Sequence, residues 1–552
     1  MVRRRWPGGS TAYRGEGILH GPRAMTAARS DDVSQSRDGR GSLHVACALA
    51  AMLCIGGCTT QPPYSRPQLD MPKAWANARA GTLVDGTGSA RDDWWTQLGD
   101  PVIDVLVASA LTDNPTLAQA AARVDEARAG LGASGARRAP QLGGNGALSR
   151  GKSQSQTGGT DTISATSGSL GASLSWELDL WGRARATEEA ARSRLDARNA
   201  DAEEARLSLV AQIADGVVAL RACNYSLAIR DQDIGSREIE LSLIRQRLAV
   251  GNVAPVEEAS ALSALASART NRLSQEESCT TLVDALVALS GREATTIRHL
   301  MSRPPLPSGG ASTASAIGRL DEAAAIVPTA PPVRLDLPAT VLLQHPAVRS
   351  AERELAASYA EIGVARAERL PRVDLSALLT GQWIRALGST IHFDTWSAGA
   401  AVSVPIFDAG LGAANVDGAE ARYRAALAGL ASTLRTGTRD VEDSLAALSS
   451  AEQRADTSRQ AANAAAVALR ANEARYHAGA ISLFELEGSR RQVNGAQESA
   501  IAAASDRARS WISLVRAAGT PPLSATALEQ PVAEETTDAP TKTPFAGNES
   551  HR

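Results

Sequence analysis

Leu170-Gly171-Ala172-Ser173-Leu174-Ser175-Trp176-Glu177-Leu178-Asp179-Leu180-Trp181-Gly182-Arg183 is the stretch on which the fold turns. Apolar Leu170, Ala172, Leu174, Trp176, Leu178 and Leu180 alternate with Gly171, Ser173, Ser175, Glu177 and Asp179, the period of two that marks a strand with one apolar face. At Gly182 the alternation stops. No proline occurs from Arg183 to Val250, so a strand runs straight into a very long predicted helix. These roughly 68 residues would extend about 100 Å at 1.5 Å per residue.

The same plan occurs twice. Gly182, Gly251 and Gly291 return as Gly410, Gly479 and Gly519, since 410−182, 479−251 and 519−291 all equal 228. Arg247 of Arg247-Leu248-Ala249-Val250-Gly251 falls on Arg475 of Arg475-Tyr476-His477-Ala478-Gly479, and Leu286-Val287 falls on Leu514-Val515. Upstream, Asn114-Pro115 parallels His345-Pro346, and each Pro is followed 25 residues later by another, Pro140 and Pro371. A self-similarity of this length is a duplicated architecture. The expected divisions are an N-terminal extension with a signal segment (1–57), an N-terminal segment of the mature chain (58–99), a first repeat (100–300), a Pro-rich connector (301–338), a second repeat (339–520) and a disordered tail (521–552).

In the second copy Trp396, Ala398, Ala400, Val402, Val404 and Ile406 alternate with Ser397, Gly399, Ala401, Ser403 and Pro405. Val373, Leu375, Ala377 and Leu379 alternate as a partner, and Leu142 to Leu148 form a partner diluted by Gly. Four strands in two hairpins are expected, the Gly/Ser/Thr-rich run from Arg150 to Gly168 reading as a mobile, exposed loop. Trp176, Trp181, Trp383, Phe393 and Trp396 lie within or beside strands, which suits the interfacial aromatic belts of a membrane barrel. A water-soluble sandwich with Trp in its core is the other reading, and four strands are few to build one. In the long helices Ile213, Val217 and Leu220 recur as Val441, Leu445 and Leu448, the 4-then-3 spacing of a coiled-coil seam. The helices expected at Pro255–Ser290 and Ser482–Ala518 would fold back antiparallel as hairpins.

Of 552 residues 43% are hydrophobic but only 3% aromatic, a composition suited to close-packed Ala-rich helices. A net charge of −3 supplies no electrostatic reason to bind nucleic acid. Cys223 and Cys279 fall in predicted helices and read as small buried apolar side chains, too few for a disulfide framework. The apolar run from Leu43 to Gly57 follows Arg37 and Arg40 and reads as a secretory h-region; Met25 offers an internal start. Its end, Ile55-Gly56-Gly57-Cys58, resembles a bacterial lipobox, in which Cys58 would carry the lipid and Thr59 is not the Asp that favours inner-membrane retention. An ordinary signal peptide with incidental Cys is the alternative. Beyond it no uninterrupted apolar run reaches 18 residues, so no transmembrane helix is expected.

Four strands cannot close a barrel, and an open edge in hydrocarbon leaves backbone groups unpaired at several kcal/mol each. Protomers must therefore pool strands. Three copies of four would make a 12-stranded barrel wide enough to conduct, with the helical hairpins continuing the ring as a tunnel. The fold class expected is mainly α with a small β part, an internal two-fold repeat of long helical hairpins and paired strands.

Several segments then resemble one family. Cys58-Thr59-Thr60 with Pro63-Tyr64-Ser65-Arg66-Pro67, Trp94-Trp95-Thr96-Gln97-Leu98-Gly99-Asp100-Pro101 with Leu106 and Asn114-Pro115, and Ala120-Ala121-Ala122-Arg123-Val124-Asp125-Glu126-Ala127-Arg128 follow its N-terminus and opening helix. Glu177-Leu178-Asp179-Leu180-Trp181-Gly182-Arg183 and Val404-Pro405-Ile406-Phe407-Asp408-Ala409-Gly410 resemble its strand-to-helix junctions. The family is that of the TolC-type outer-membrane factors, in the lipoprotein branch serving tripartite resistance-nodulation-division efflux systems, and the resemblance covers about Cys58 to Thr520. It implies a homotrimer anchored in outer-membrane lipid, a trimeric transmembrane β-barrel above a periplasmic α-barrel, and passive conduction of small molecules. These would be handed over by an inner-membrane efflux transporter and a periplasmic adaptor of the membrane fusion class, with no cofactor and no enzymatic step.

The resemblance also implies a gate near the second helical turn, with Tyr476 matching the family's Tyr and Glu485 one of its carboxylates. Gly488 stands where another carboxylate is expected, beside Glu487, and Glu257 is the first-copy equivalent of Glu485 because 485−257 is again 228. A three-fold ring of such groups could attract cations, or the same residues could be solvated charges at helix starts. The turns Val250-Gly251-Asn252 and Ala478-Gly479-Ala480 are where an adaptor would dock, or where Gly simply caps a helix.

Apparent catalytic signals are weaker. Gly146 to Ser153 matches a phosphate-loop pattern and Gly130 to Gly135 a dinucleotide fingerprint, but neither sits between a predicted strand and a predicted helix. The seven His are scattered without metal-ligand spacing, and no nucleophile with base and acid partners is visible. The rival from another class is a lipid-tethered periplasmic coiled-coil structural or adaptor protein.

Overall fold

The computed structural model describes residues 62–78, 93–154, 162–302, 327, 328, 331 and 338–519. Cys58 with its lipobox, most of the connector and the tail 521–552 lie outside the described residues. After a 3-10 turn at Trp94–Leu98, the first repeat comprises α1 (Pro101–Asp113), α2 (Pro115–Ala136), β1 (Gln141–Gln154), β2 (Thr162–Leu178), α3 (Arg183–Ala249) and α4 (Pro255–Ser290). A short α5 (Ala294–Met301) follows. The second repeat comprises α6 (Pro338–Gln344), α7 (Pro346–Ala367), β3 (Arg372–Ala386), β4 (Ser389–Ser403), α8 (Leu411–His477) and α9 (Leu483–Ala518).

The spacing of 228 read in the sequence is a spacing of backbone geometry. Helices α3 and α8 are each 67 residues long, α4 and α9 each 36, and all begin and end 228 positions apart. Each repeated glycine holds a positive φ: Gly182 and Gly410 precede the long helices, Gly251 and Gly479 follow them, and Gly291 and Gly519 follow the return helices. Substituting any side chain there would force it into the left-handed region.

Four ranks of helix lie side by side. Helix α3 packs against α2 and α4 on one flank and against α7 and α9 on the other; α8 packs on the far side of α7 and α9. The short helices are set end to end in two of these ranks. Asn114 caps α2 by accepting the Thr116 and Leu117 N–H groups, while its amide donates to the Leu289 carbonyl at the end of α4 (2.9 Å). Ser109 of α1 donates to the next carbonyl, Ser290 (3.0 Å), so two orphan acceptors of the α4 terminus are met by side chains at and beside the α1–α2 junction.

The apolar core sits at this level, where α1, α5 and α6 cover the ranks. Ile213, Val217 and Leu220 of α3 and Val441, Leu445 and Leu448 of α8 are buried there with Trp94, Leu106, Leu286, Leu342 and Leu514. The expected seam is thus the local core of a multi-helix layer. Burying each such side chain contributes about 1.5–3 kcal/mol. One 18-residue window of α3 reaches a mean hydropathy of 1.2, but 61% of it is covered by these neighbours. Arg221 and Asp100 form a buried ion pair within the same region, through Nε to Oδ2 (2.9 Å) and Nη2 to Oδ1 (3.2 Å). A third donation runs from Nη1 to the Met301 carbonyl (2.9 Å) and ties α5 in.

Two expectations are corrected. Cys223 and Cys279 are not independent apolar side chains: they form a disulfide joining α3 to α4, with Cα atoms 5.7 Å apart. Their 56-residue separation hid a pairing that antiparallel packing creates. The loop read from Arg150 to Gly168 is mostly strand, since β1 continues to Gln154 and β2 begins at Thr162. Ladder hydrogen bonds between strands outweigh the weak strand propensity of Gly and Ser there.

Candidate functional site

The four strands form one antiparallel sheet in the order β1-β2-β3-β4. The two expected hairpins are therefore joined through β2 and β3, with Trp176 opposite Leu375 and Gly168 opposite Trp383. Register assigns every side chain to one of two faces. One face carries Leu142, Leu170, Leu174, Leu178, Leu379 and Val402, with Trp176, Trp383 and Trp396 among them. The opposite face carries Asn145, Ser149, Ser167, Ser173, Thr380 and Gln382. An exposed apolar face backed by a small, polar one is the pattern of a strand set between hydrocarbon and water.

The aromatic residues separate along the strands. Trp176 lies two positions from the helix-proximal end of β2, and its Nε1 donates to the Arg138 carbonyl (2.8 Å). Trp181 lies past that end, donating to the Pro371 carbonyl (2.7 Å). Trp383 lies toward the distal turn, its ring lying where a Cβ on Gly168 would stand. Two of the five depart from the expected belt: Phe393 pairs with Gln382 on the polar face, and Trp396, opposite Leu379, sits midway along β4. Spacing alone could not separate them, because the parity of β4 relative to β3 is set by the two-residue turn Leu387–Gly388, both at positive φ.

At the helix-proximal end, each long helix begins on an aspartate. Asp179 accepts the Ala184 and Arg185 N–H groups (both 3.0 Å), and Asp408 accepts those of Gly410 (2.9 Å) and Gly412 (2.7 Å). Burial works against the charge of Asp179, yet the Arg185 and Ala184 N–H groups and the Arg185 guanidinium hold its carboxyl below its ordinary pKa. The Gly412 and Gly410 N–H groups lower that of Asp408. Glu177 adds a bidentate pair to Arg183 (2.9 and 2.6 Å). In the second repeat Pro405 occupies the matching position, which helps end β4 at Ser403.

At the other end are the turns. Asn252 N–H reaches back to the Arg247 carbonyl (2.9 Å) and Ala480 N–H to the Arg475 carbonyl (2.8 Å). With Gly251 and Gly479 in the left-handed region, both are Schellman-type helix ends. The candidate gate residues are not brought together as one cluster. Glu485 is exposed and folds back in a capping box with Ser482, accepting its N–H (2.8 Å). Glu487 is fully buried, accepting from Ser236 of α3 and from Arg490 Nη1 (2.9 Å). Glu257, exposed in the first turn of α4, shares with Glu487, Glu240, Arg247 and Phe484 a cleft of about 420 Å³. Tyr476 stands outside that cleft, half-exposed beside His477. Glu240 and Arg491 (2.6 Å) form a second link between the two hairpins, and the sequence offered no signal for it because its partners are 251 residues apart.

Gly146–Ser153 lies within β1 and Gly130–Gly135 within α2, so neither opens a helix onto a phosphate. Among the described residues no group of His, Cys, Asp and Glu is placed to hold a metal ion.

A family model described as outer membrane efflux protein matches residues 106–292 and 337–520, the two repeats. The chain is 29% identical to outer membrane protein OprJ of Pseudomonas aeruginosa over 452 residues, covering 78% of this chain and 86% of that one. It is 26% identical to nodulation protein T of Rhizobium leguminosarum bv. viciae over 473 residues, covering 86% and 92%. Among solved structures, the open state of the MtrE outer membrane channel of Neisseria gonorrhoeae superimposes with a TM-score of 0.68 at 25% identity, covering 84% of this chain and 98% of that one.

Proposed function

This chain belongs to the outer membrane efflux protein family and is an outer-membrane efflux channel of a tripartite pump; on that premise we propose that three copies close into one duct. The observation that carries the trimer is the sheet itself. Among the described residues, edges β1 and β4 have no partner in the protomer, and one face is apolar over most of its length. Unpaired edges are untenable in hydrocarbon. Two copies would give eight strands, whose interior side chains fill, whereas three give twelve. The Ser-, Gly- and Thr-rich inner face leaves such an interior open to water.

The helix layer has matching free flanks, α2 with α4 on one side and α8 on the other, so the same rotation closes a tunnel below the barrel. Lipidation of Cys58 would anchor the start of the mature chain beside the barrel. Pro62, the first described residue, lies against Tyr359 of α7 (3.2 Å from its hydroxyl), eight positions before that helix reaches the sheet side. A periplasmic adaptor meets the turns Val250-Gly251-Asn252 and Ala478-Gly479-Ala480, and an inner-membrane transporter supplies the substrate. Narrowing at the tips depends on the Ser236–Glu487 and Arg491–Glu240 links, which must part if the second hairpin is to swing away from the first. Glu257 and Glu485, free of ion pairs among the described residues, lend the aperture a preference for cations.

Cross-linking the purified protein in detergent and measuring its conductance in planar bilayers tests the reading. Three subunits and a steady cation-preferring conductance are expected. A monomer that stays in solution and forms no channels would favour a periplasmic coiled-coil role instead.

A further inference from the structure

The apolar face of the sheet changes character at one level. From Val373 to Trp383 it spans ten residue steps, and its positions on β1, β2 and β3 are aliphatic, aromatic or Gly. At about 3.4 Å per residue and a tilt near 40°, ten steps cover roughly 26 Å, the height of the apolar band of such barrels. Two steps further toward the distal turn, one rung reads Arg150, Thr166, Arg385 and Thr390 across the four strands. Lys152 stands one rung beyond on β1.

These cations are on the side that faces lipid and not on the polar, inward side. Arg150, Lys152 and Arg385 are exposed, and none is in an ion pair among the described residues. Arg150 and Arg385 flank the Thr166 hydroxyl at a separation of two strand spacings, roughly 10 Å. Asp394 is the one acid on this face among the described residues, four residue steps below that rung and thus roughly 14 Å along the strands. His392 lies between, on the Trp383 rung. A cationic rung some 5 Å beyond the hydrocarbon boundary stands at the depth of lipid headgroups. Two guanidinium groups with a hydroxyl between them match the acceptor oxygens of a phosphate.

We propose that Arg150, Lys152 and Arg385, with Thr166, form an outward-facing belt that binds the phosphate of anionic lipid headgroups in the outer leaflet. The inference rests on the sheet being a membrane barrel. Charge complementarity favours a lipid as the occupant, because the belt adjoins a surface that is apolar across β1, β2 and β3 and that the acyl chains of the same molecule would cover. In the trimer the belt repeats three times around the rim.

The test compares the intact protein with R150Q/K152Q/R385Q and with R150K/R385K. Binding of phosphatidylglycerol and of phosphatidylcholine to the detergent-solubilised trimer is followed by native mass spectrometry, with inorganic phosphate as competitor. Each cation near a charged headgroup is worth about fivefold in affinity, so the Gln variant should lose on the order of a hundredfold for phosphatidylglycerol. The Lys variant should keep most of it, and phosphatidylcholine should change little. Equal phosphatidylglycerol binding by the Gln variant would overturn the proposal, as would displacement of the lipid by inorganic phosphate at similar concentration. Flotation of all three proteins with phosphatidylcholine vesicles reports separately on the membrane barrel. If they float and the lipid preference is absent, the belt fails and the barrel stands.

Discussion

Replacing Arg221 by Met should loosen the belt of short helices around the long ones by an amount the structure allows to be worked out. Arg221 and Asp100 are 4% and 0% exposed, so almost no water reaches either charge. Asp100 also caps α1 through the Val102 N–H (3.0 Å), and Arg221 holds the Met301 carbonyl. Arg221→Met preserves side-chain length but strands a buried carboxylate and leaves that carbonyl unpaired. Removing one partner of such a pair costs about 3–5 kcal/mol. Asp100→Asn alone should cost a similar amount by stranding the guanidinium, although Asn still caps the helix. Together the two substitutions leave no uncompensated charge, and the double variant should return to within about 1–2 kcal/mol of the parent. The assay is amide hydrogen exchange across Pro101–Asp113 and Ala294–Met301, resolved by peptide mass spectrometry on the intact oligomer. At 1.4 kcal/mol per decade, each single variant should exchange about a hundred- to a few thousandfold faster there, and the double about tenfold. Unchanged exchange in Arg221→Met, or a double variant as damaged as the singles, would show that the buried pair does not hold these helices.

Reducing the Cys223–Cys279 bond, or replacing both residues by Ala, removes a covalent link between positions 56 apart. Chain-entropy arguments place its contribution at about 4 kcal/mol; the thermal midpoint should fall with reductant in the parent and be indifferent to it in the double Ala variant. For Asp179 the lowered pKa sets the sign: its contribution is present above the ordinary carboxylate range and is lost as pH falls through the folded value. Protection of the first turn of α3 should decline below about pH 4 in the parent and lose that pH dependence in Asp179→Asn. Leu387 holds φ at 50°, beside Gly388 in the β3–β4 turn. Leu387→Asn should stabilise the hairpin by about 1 kcal/mol, raising the temperature at which the oligomer dissociates on gels, whereas Leu387→Val should lower it.

The candidate site was legible to different depths. The turns could be read from Gly251 and Gly479 because a left-handed backbone position requires a residue type. The strand face could be read from Leu170 to Leu178 because parity within one strand is covalent. The candidate gate residues were less accessible. Glu485 and Glu487 differ by two positions, yet one is a solvent-facing helix cap and the other a buried partner of Ser236. That difference depends on which flank of α9 meets α3. Phe393 failed as a belt residue for the same kind of reason, since its face is set by pairing with β3 and not by its own strand.

Local chemistry in the chain determined the elements, their duplication and the termini of the long helices: prolines and glycines act on their own φ angles, and alternation acts within one strand. Tertiary structure alone decided what those elements do together. It joined two hairpins into one sheet, brought Cys223 to Cys279, buried the Arg221–Asp100 pair and sorted charged residues between the two faces. Such outcomes depend on distances between segments from 56 to more than 200 positions apart, which close packing fixes and sequence spacing does not encode.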